Sequence, residues 1–210
     1  MKTDELIFDD GSVYKGEVNK KGLAHGKGTY TFQDGSEYVG EFKNDEYHGK
    51  GNFTFSSGEK YVGDFKEGTK HGKGTLTFPD GAEYVGGFKD NDYHGKGTYR
   101  SSDGSSYVGD YKMNVRHGKG TLLLSDGEKY VGDFKENKLT GKGTLTFANG
   151  EKYIGDFKDG MKHGKGTYNF NNGEKYVGEY KEDNYHGKGI FTRADGEELS
   201  GNFKDGQFID

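Results

Sequence analysis

The feature that most constrains the fold is an internal repeat of 23 residues. A tyrosine with a glycine two positions later marks each unit, and a His-Gly-Lys-Gly tetrapeptide follows it. The tetrapeptide accounts for all 7 histidines, and one further copy has Thr140 in place of histidine. Repeats of this length are typical of stacked supersecondary units, so the fold of one unit determines that of the array. The marker tyrosines are Tyr14, Tyr38, Tyr61, Tyr84, Tyr107, Tyr130, Tyr153 and Tyr176.

Each unit holds two segments in which side chains alternate with period 2. The first reads Tyr-Val-Gly-Asp/Glu-Phe-Lys and the second His-Gly-Lys-Gly-Thr-Tyr-x-Phe, and Asp-Gly or Asn-Gly closes the link to the next unit. Alternation predicts strands, and the glycine-containing pairs predict tight turns. No segment has a helical period. We therefore predict an all-β fold, an elongated single-layer twisted antiparallel β-sheet built from tandem 23-residue β-hairpins.

The array is predicted to form a single domain. Its half repeats leave strand edges unpaired, and open edges invite pairing with another chain. We therefore predict an end-to-end homodimer through Leu6–Phe8 and Leu199–Phe203. The expected parts of residues 1–210 are a half repeat at 1–11, eight hairpin repeats from about 12 to 196, and a half repeat at 197–210.

Parity predicts the pairing inside a unit, because a slip of one residue sends every side chain to the other face. The rings and glycines of both strands share a face if Asn44–Tyr47 form a four-residue loop. Phe42 then opposes Gly49, and Gly40 opposes Gly51.

Parity also predicts the link between units. Gln33, Asp34 and Gly35 should form a three-residue loop, a type I turn with Gly35 left-handed in a bulge. Tyr30 then opposes Tyr38.

Propagated along the chain, this pairing predicts one face with two aromatic ridges flanking a row of glycines. The apolar area is carried by 16 Tyr and 15 Phe, so rings must form the core. A single sheet needs cover over its apolar face. Either the rings fold over the glycines, or a partner covers the trough between the ridges, and the two can coexist. The expected glycine floor includes Gly63, Gly74, Gly86, Gly97, Gly109 and Gly120.

The opposite face is predicted to be polar, with an acid opposite a lysine in most units. Exposed pairs of this kind contribute only ~0.2–1 kcal/mol each, so they set register and solubility more than stability. The expected pairs are Glu41 with Lys50, Asp64 with Lys73, and Asp156 with Lys165.

These motifs, Tyr-Val-Gly-Glu-Phe-Lys and His-Gly-Lys-Gly-Thr-Tyr at a 23-residue period, resemble the MORN repeat (membrane occupation and recognition nexus). The resemblance implies a single-layer β-ribbon that serves as a scaffold or adaptor. Related arrays bind protein partners in cytoskeletal, ciliary and membrane-junction proteins, and some dimerise through terminal repeats. Lipid binding has also been proposed for the family.

No group of residues predicts catalysis. Equivalent histidines lie two strands apart, ~9.6 Å, which is too far to share one metal. The Gly-Lys-Gly runs lack the strand–loop–helix context of a phosphate loop, and the carboxylates form a solvated ladder with the lysines. The net charge of -5 gives no general attraction to nucleic acid. We therefore predict no enzyme activity, no catalytic residue, no metal, no cofactor and no nucleic-acid partner.

The predicted function is that of a non-enzymatic protein-interaction scaffold, with a partner peptide or protein along the aromatic and glycine face. The alternatives are a peripheral binder of acidic phospholipid membranes and a structural spacer in a cytoskeletal or ciliary assembly. With 0 cysteines, the chain is expected in the cytoplasm, either free or associated with cytoskeleton or membrane. The candidate partner-binding residues are Tyr61, Phe65, Tyr84, Phe88, Tyr107, Tyr111, Tyr130 and Phe134.

Departures from the repeat consensus cluster in the fourth and fifth units. Gly87 replaces the usual acid, and Leu123 places an aliphatic side chain on the polar face. They mark either a partner contact or neutral drift in a tolerant array. Tyr47, Tyr93 and Tyr185, which recur at similar loop positions, are further candidate anchors.

Overall fold

A computed structural model describes residues 2–210, and within that range the chain forms 19 strands and no helix. The prediction of an all-β fold of antiparallel hairpins is confirmed. None of the described residues belongs to a helix that could span a membrane. The strands are β1 (Lys2–Ile7), β2 (Val13–Val18), β3 (Ala24–Thr31), β4 (Glu37–Lys43), β5 (Glu46–Thr54), β6 (Lys60–Lys66), β7 (Thr69–Thr77), β8 (Glu83–Lys89), β9 (Asp92–Arg100), β10 (Ser106–Lys112), β11 (Val115–Leu123), β12 (Lys129–Lys135), β13 (Lys138–Thr146), β14 (Lys152–Lys158), β15 (Met161–Asn169), β16 (Lys175–Lys181), β17 (Asn184–Thr192), β18 (Glu198–Lys204) and β19 (Gln207–Phe208).

The strands fall into two compact units. The first comprises the chain up to Ser102 together with Tyr111–Asn114, and the second comprises Asp103–Asp110 and Val115–Asp210. In the first unit, strands β1 to β9 pair antiparallel with one another in chain order. Strands β11 to β19 of the second unit do the same. The residues of β10 are divided between the two units.

The links between repeats are the predicted three-residue loops. Phe32 donates its N–H to the carbonyl of Ser36 at 2.9 Å, and Gly35 has a φ of 85°. The Asp34 carboxylate accepts the N–H of Ser36 at 2.8 Å, which holds the turn from inside. Tyr30 pairs with Tyr38 as expected.

The turn inside each repeat after the first differs from the prediction. Asn44 and Asp45 have φ of 52° and 71°, so they form a two-residue turn of the type favoured in hairpins. Phe42 consequently pairs with Tyr47, and its predicted pairing with Gly49 is wrong.

A bulge absorbs the two residues that the shorter turn releases. Gly40 still pairs with Gly51, as predicted, but the next pair is Glu41 with His48. Gly49 therefore lies outside the β4–β5 ladder, in the left-handed conformation at a φ of 58°. A two-residue turn with two bulged residues preserves the same parity as a four-residue loop, so alternation alone does not separate the two.

The bulge also changes the acid–lysine pairs. Glu41 does not oppose Lys50; its carboxylate accepts the backbone N–H of that residue at 3.1 Å. The Lys50 ammonium instead contacts Asp64 of the next hairpin at 2.5 Å. The predicted pairs were therefore wrong in register, and the ion pairs run between repeats. The same backbone contact joins Lys73 to Asp64 (2.8 Å) and Lys165 to Asp156 (3.1 Å).

The two strands predicted to pair with a second copy differ in their surroundings. Strand β1 has β2 as its neighbour on one side. Strand β18 lies between β17 and the short β19, whose Phe208 pairs with Phe203. The edge expected at Leu199–Phe203 is thus partly covered by the chain itself, and the homodimer stays a prediction.

The core is the aromatic face of the sheet. The Tyr61 ring lies across Gly63 and Gly74 of its own hairpin, so a Cβ added to Gly74 would be 2.5 Å from the ring carbon Cζ. Its hydroxyl donates to the carbonyl of Asp64 at 2.9 Å, beside the bulge. Rings thus cover the glycines from within the chain, one tyrosine for each hairpin.

Candidate functional site

The buried rings pack edge to face along each unit. Tyr61 lies 5.0 Å from Phe65 of its own strand and 4.9 Å from Phe88 of the next repeat, with interplanar angles of 89° and 79°. Tyr84 repeats the pattern with Phe88 at 5.1 Å and Tyr111 at 5.2 Å. Contacts of this geometry add ~0.5–1.5 kcal/mol per pair beyond the area they bury.

The eight rings predicted to contact a partner are all interior residues. Their relative exposure lies between 0 % and 7 %. The first unit brings together Tyr61, Phe65, Tyr84, Phe88 and Tyr111, and the second brings together Tyr107, Tyr130 and Phe134. Their assignment as partner contacts stays a prediction, because rings this buried offer little surface to a ligand.

The predicted glycine floor is covered in both units. In the first unit, Tyr61 lies over its glycines and Tyr84 repeats the arrangement; in the second unit, Tyr107 does so. On the aromatic side, the glycines therefore do not form an open trough. The covered residues are Gly63, Gly74, Gly86, Gly97, Gly109 and Gly120.

The tyrosines predicted as loop anchors are strand residues stacked on the core. Tyr47 lies 4.0 Å from Tyr38, and Tyr93 lies 3.7 Å from Tyr84 with an interplanar angle of 12°. Burial raises the pKa of Tyr93 to about 12. These rings thicken the core over alternate repeats.

In the intervening repeats, a cationic side chain occupies the position of these tyrosines. Lys70 lies 5.8 Å from the centre of the Tyr61 ring, Arg116 lies 5.8 Å from Tyr107, and Lys162 lies 5.1 Å from Tyr168. Burial lowers the pKa of Lys70 and of Lys162. At this position a ring and a cation therefore alternate, with a period of two repeats. The alternation is visible in the sequence but was not predicted from it. In the sixth repeat, Leu139 takes the place of a ring, opposite Phe134.

One margin of the aromatic face is only half-buried. In the first unit, Phe8, Tyr30, Phe32, Phe53 and Phe55 form a chain of rings whose successive centres are 4.3–5.5 Å apart. We call this strip the aromatic margin. It is the accessible part of the face that the sequence singled out.

The opposite face, here called the open face, carries an exposed β-branched side chain at the same position of each repeat after the first. Their exposed fractions lie between 40 % and 54 %. Our sequence interpretation described this face only as polar, because charged residues outnumber the aliphatic one in each strand. The signal was the residue between the marker tyrosine and its glycine, which is β-branched in all seven of these repeats. The series is Val39, Val62, Val85, Val108, Val131, Ile154 and Val177.

Shallow grooves follow these aliphatic side chains. One of about 550 Å³ lies in the second unit along Ile154 and Val177, with Lys142, Lys165 and Glu179 at its sides. Its floor is the bare backbone of the glycines whose other side is covered by tyrosine rings. A groove of about 490 Å³ occupies the equivalent place in the first unit.

The histidines end up beside the turns. The Nδ1 atoms of His71 and His186 are buried without a hydrogen bond and lie 3.6 Å and 3.8 Å from Asp90 and Asp205. Among the described residues, no three of His, Asp and Glu are grouped so that they could hold a metal ion.

Gly87 marks the departure in the fourth repeat. It leaves Lys73 paired with a residue that has no carboxylate. A Cβ at Gly87 would overlap the carbonyl of His94, so the backbone of this bulge leaves no room for the usual acid.

Fold and faces together define a repeat protein with a self-covered aromatic core on one side of a sheet. The chain belongs to the MORN-repeat family. The family's MORN repeat model matches eight consecutive segments, at residues 14–37, 38–60, 61–83, 84–106, 107–129, 130–152, 153–175 and 176–198. The family resemblance predicted from the sequence is confirmed, and a protein-interaction role fits it. No curated protein matches the chain at a significant level.

Solved structures of low sequence identity are similar to this chain over most of its length. The wild-type TCP10 domain of Danio rerio CPAP matches with a TM-score of 0.50 and 12% identity, covering 95% of this chain and 94% of that one. The same domain in complex with a peptide of Danio rerio STIL matches at 0.39 and 14% identity, covering 96% and 100%. The Drosophila melanogaster SAS-4 TCP domain, in complex with a proline-rich motif of Ana2, matches at 0.44 and 11%, covering 74% and 85%. At 12% identity, the likeness to the first of these structures concerns the fold alone.

Proposed function

We propose that this chain is a non-enzymatic protein-interaction scaffold whose partner lies along the open face. The observation that carries the proposal is a row of β-branched side chains in each unit, one for each repeat after the first, that stay 40–54 % exposed. Single exposed aliphatic residues are normal, but a row of them along a groove is typical of an interaction surface.

The open face is favoured over the aromatic core for an energetic reason. A partner that used the core rings would have to displace Tyr61 or Tyr84 from the glycines they cover, which would expose a ring that is now fully buried. Exposing a side chain of that size costs about 1.5–3 kcal/mol for each ring. A ligand on the open face meets a surface that is already formed.

The repeat sets the shape of the partner. Equivalent side chains recur every second strand, ~9.6 Å apart, so an elongated ligand would meet the same small contact many times within a unit. Many weak contacts held in fixed spacing sum to useful affinity without a deep pocket.

The experiment is a selection of ligands from a random peptide display library against the intact chain. The selected ligands are then measured against two matched variants, Val62→Ser with Val85→Ser on the open face, and Phe32→Ser with Phe55→Ser on the aromatic margin. Circular dichroism establishes that both variants keep their strands. We expect the first variant to lose most of the binding and the second to keep it.

The opposite result, loss only in the aromatic-margin variant, would overturn the open face in favour of the face predicted from the sequence. Failure to select any ligand would contradict a binding role and favour a structural spacer.

A further inference from the structure

In the second unit, the open face carries a row of three lysines with no acid between them. Lys129, Lys152 and Lys175 are the first residues of β12, β14 and β16, and all three are exposed. The row ends at Glu198, the first residue of β18. The residues that oppose the lysines in the ladder are neutral: Leu123, Thr146, Asn169 and Thr192.

The same row in the first unit is balanced. There the first residues of β4, β6 and β8 are Glu37, Lys60 and Glu83. Arg100 pairs with Glu83 at 3.4 Å. The uncompensated positive charge is therefore a property of the second unit and not of the repeat as such.

The aliphatic row runs directly beside these lysines. Val131, Ile154 and Val177 follow them two residues along the same strands and are 44 %, 49 % and 41 % exposed. A ligand across β12, β14 and β16 would meet a cation and an apolar side chain on every second strand. Further along this face, the Lys142 ammonium is engaged by Asp156 at 2.7 Å.

We propose that this surface binds a segment in the polyproline II conformation that carries an acidic residue at every third position. The lysines lie two strands apart, ~9.6 Å. Polyproline II has three residues per turn and a rise of ~3.1 Å, so every third side chain recurs on one side after ~9.3 Å. An α-helix advances ~5.4 Å per turn, and an extended strand repeats its facing side chains every ~6.8 Å. Neither spacing matches the distance between the lysines.

The chemistry of the segment follows from the two rows. Its carboxylates face Lys129, Lys152 and Lys175, while proline rings at the other positions lie on the aliphatic row. Such a segment would be the partner of the open face, so this inference rests on the proposed function. Each exposed ion pair is weak, so the affinity depends on all three lysines together.

The test uses a fluorescent peptide of four Glu-Pro-Pro triplets and measures its anisotropy with the intact chain at low salt. The variant removes the three charges by Lys129→Gln, Lys152→Gln and Lys175→Gln. We expect its affinity to fall roughly three- to hundredfold, from three exposed ion pairs.

The control removes equal charge from the same strands and face. Lys135, Lys158 and Lys181 are the last residues of β12, β14 and β16, and their triple change to Gln should leave the affinity within about twofold, since exposed charges at that distance are largely screened. A peptide of Glu-Pro-Pro-Pro repeats should bind more weakly than the triplet peptide, because its acids fall out of step.

Three results would overturn the inference: equal losses in both triple variants, equal binding of the two peptide spacings, or no binding of the triplet peptide. Binding of phosphatidylserine vesicles that is lost only in the first variant, without peptide binding, would assign the row to a membrane surface. If the selected library ligands still map to the open face, only this inference fails, and the proposed function stands.

Discussion

At the scale of single residues, the marker tyrosine has two tasks, and phenylalanine could perform only the first of them. Its ring covers two glycines, and its hydroxyl donates to the backbone carbonyl left free beside the bulge, as Tyr61 does to Asp64 at 2.9 Å. A buried carbonyl without a partner is costly, so the hydroxyl explains why the repeat uses tyrosine at this position.

Tyr61→Phe should therefore lower the free energy of unfolding by about 1–3 kcal/mol, although the ring still fits. Urea denaturation followed by circular dichroism measures the change. Tyr93→Phe is the matched control, because no hydrogen bond of the Tyr93 hydroxyl occurs among the described residues, and it should cost much less. Equal losses would show that the hydroxyl contact contributes nothing specific.

Gly74→Ala should destabilise the chain by about 1–3 kcal/mol, because the added methyl meets the Tyr61 ring. In an open strand position the same change would stabilise by reducing the freedom of the unfolded chain. A double-mutant cycle with Tyr61→Val provides the check, since Gly74→Ala should cost much less once the ring is gone. Additive losses would contradict the ring-over-glycine packing.

At the scale of the hairpin, the bulge links neighbouring repeats through charge. The Asp156 carboxylate accepts the N–H of Lys165 from its own hairpin and contacts the Lys142 ammonium of the preceding hairpin at 2.7 Å. The Lys142 contact is the main cause that lowers the pKa of Asp156 below its usual value. Each carboxylate of this kind thus holds two hairpins in register.

This lowered pKa predicts the direction of acid sensitivity. A carboxyl with a lower pKa in the folded state stabilises the fold above its unfolded pKa of about 3.9, and that stability is lost as pH falls through the folded pKa. Asp156→Asn should therefore flatten the fall in the unfolding midpoint below about pH 4. Lys142→Gln should reproduce part of the effect, and an unchanged pH profile in both variants would contradict it.

The hairpin is also the scale at which sequence reasoning succeeded and failed. The rows of Tyr38 and Gly40 were predictable because alternation with one buried face permits only one parity. The turn at Asn44 was not, since left-handed conformations of asparagine and aspartate leave no mark in the alternation. The open-face valines could be seen in the sequence, but the face was classified as polar because charged residues outnumber them. The sequence-based prediction therefore placed the candidate site among rings that the structure buries.

At the scale of the whole molecule, the core is made almost entirely of aromatic rings, and most of them carry ionisable hydroxyls. Burial raises the pKa of Tyr107, Tyr130 and Tyr176 to about 12. These groups favour the folded state below their unfolded pKa of about 10, and that contribution disappears as pH rises through the folded pKa.

The chain should therefore unfold between about pH 10 and pH 12 as its tyrosines ionise. Phenolate absorbance in the near ultraviolet and the loss of circular dichroism should follow the same curve, because the buried hydroxyls ionise only when the sheet opens. Ionisation of most tyrosines with the strand signal intact would contradict the buried core.

The alternation of ring and cation predicts that repeats are not equivalent units of length. Deleting residues 130–152 brings Arg116 and Lys162 onto consecutive hairpins, ~9.6 Å apart, whereas deleting 153–175 brings Leu139 next to Tyr185. Both deletions remove one repeat. We expect the first to have the lower thermal midpoint, because like charges then crowd partly buried positions. Equal thermal midpoints would show that the alternation of ring and cation does not contribute to stability.

Because each tyrosine covers the glycines of its own hairpin, the side chains that form the core project from one side of the sheet. Thr144 and Ile154 face each other on the outward side, and replacing either leaves that cover intact. Substitutions at such positions should therefore leave most of the packing in the core unchanged. Under the proposed scaffold function, contacts with a ligand could then change one repeat at a time while the ring packing on the other surface is preserved.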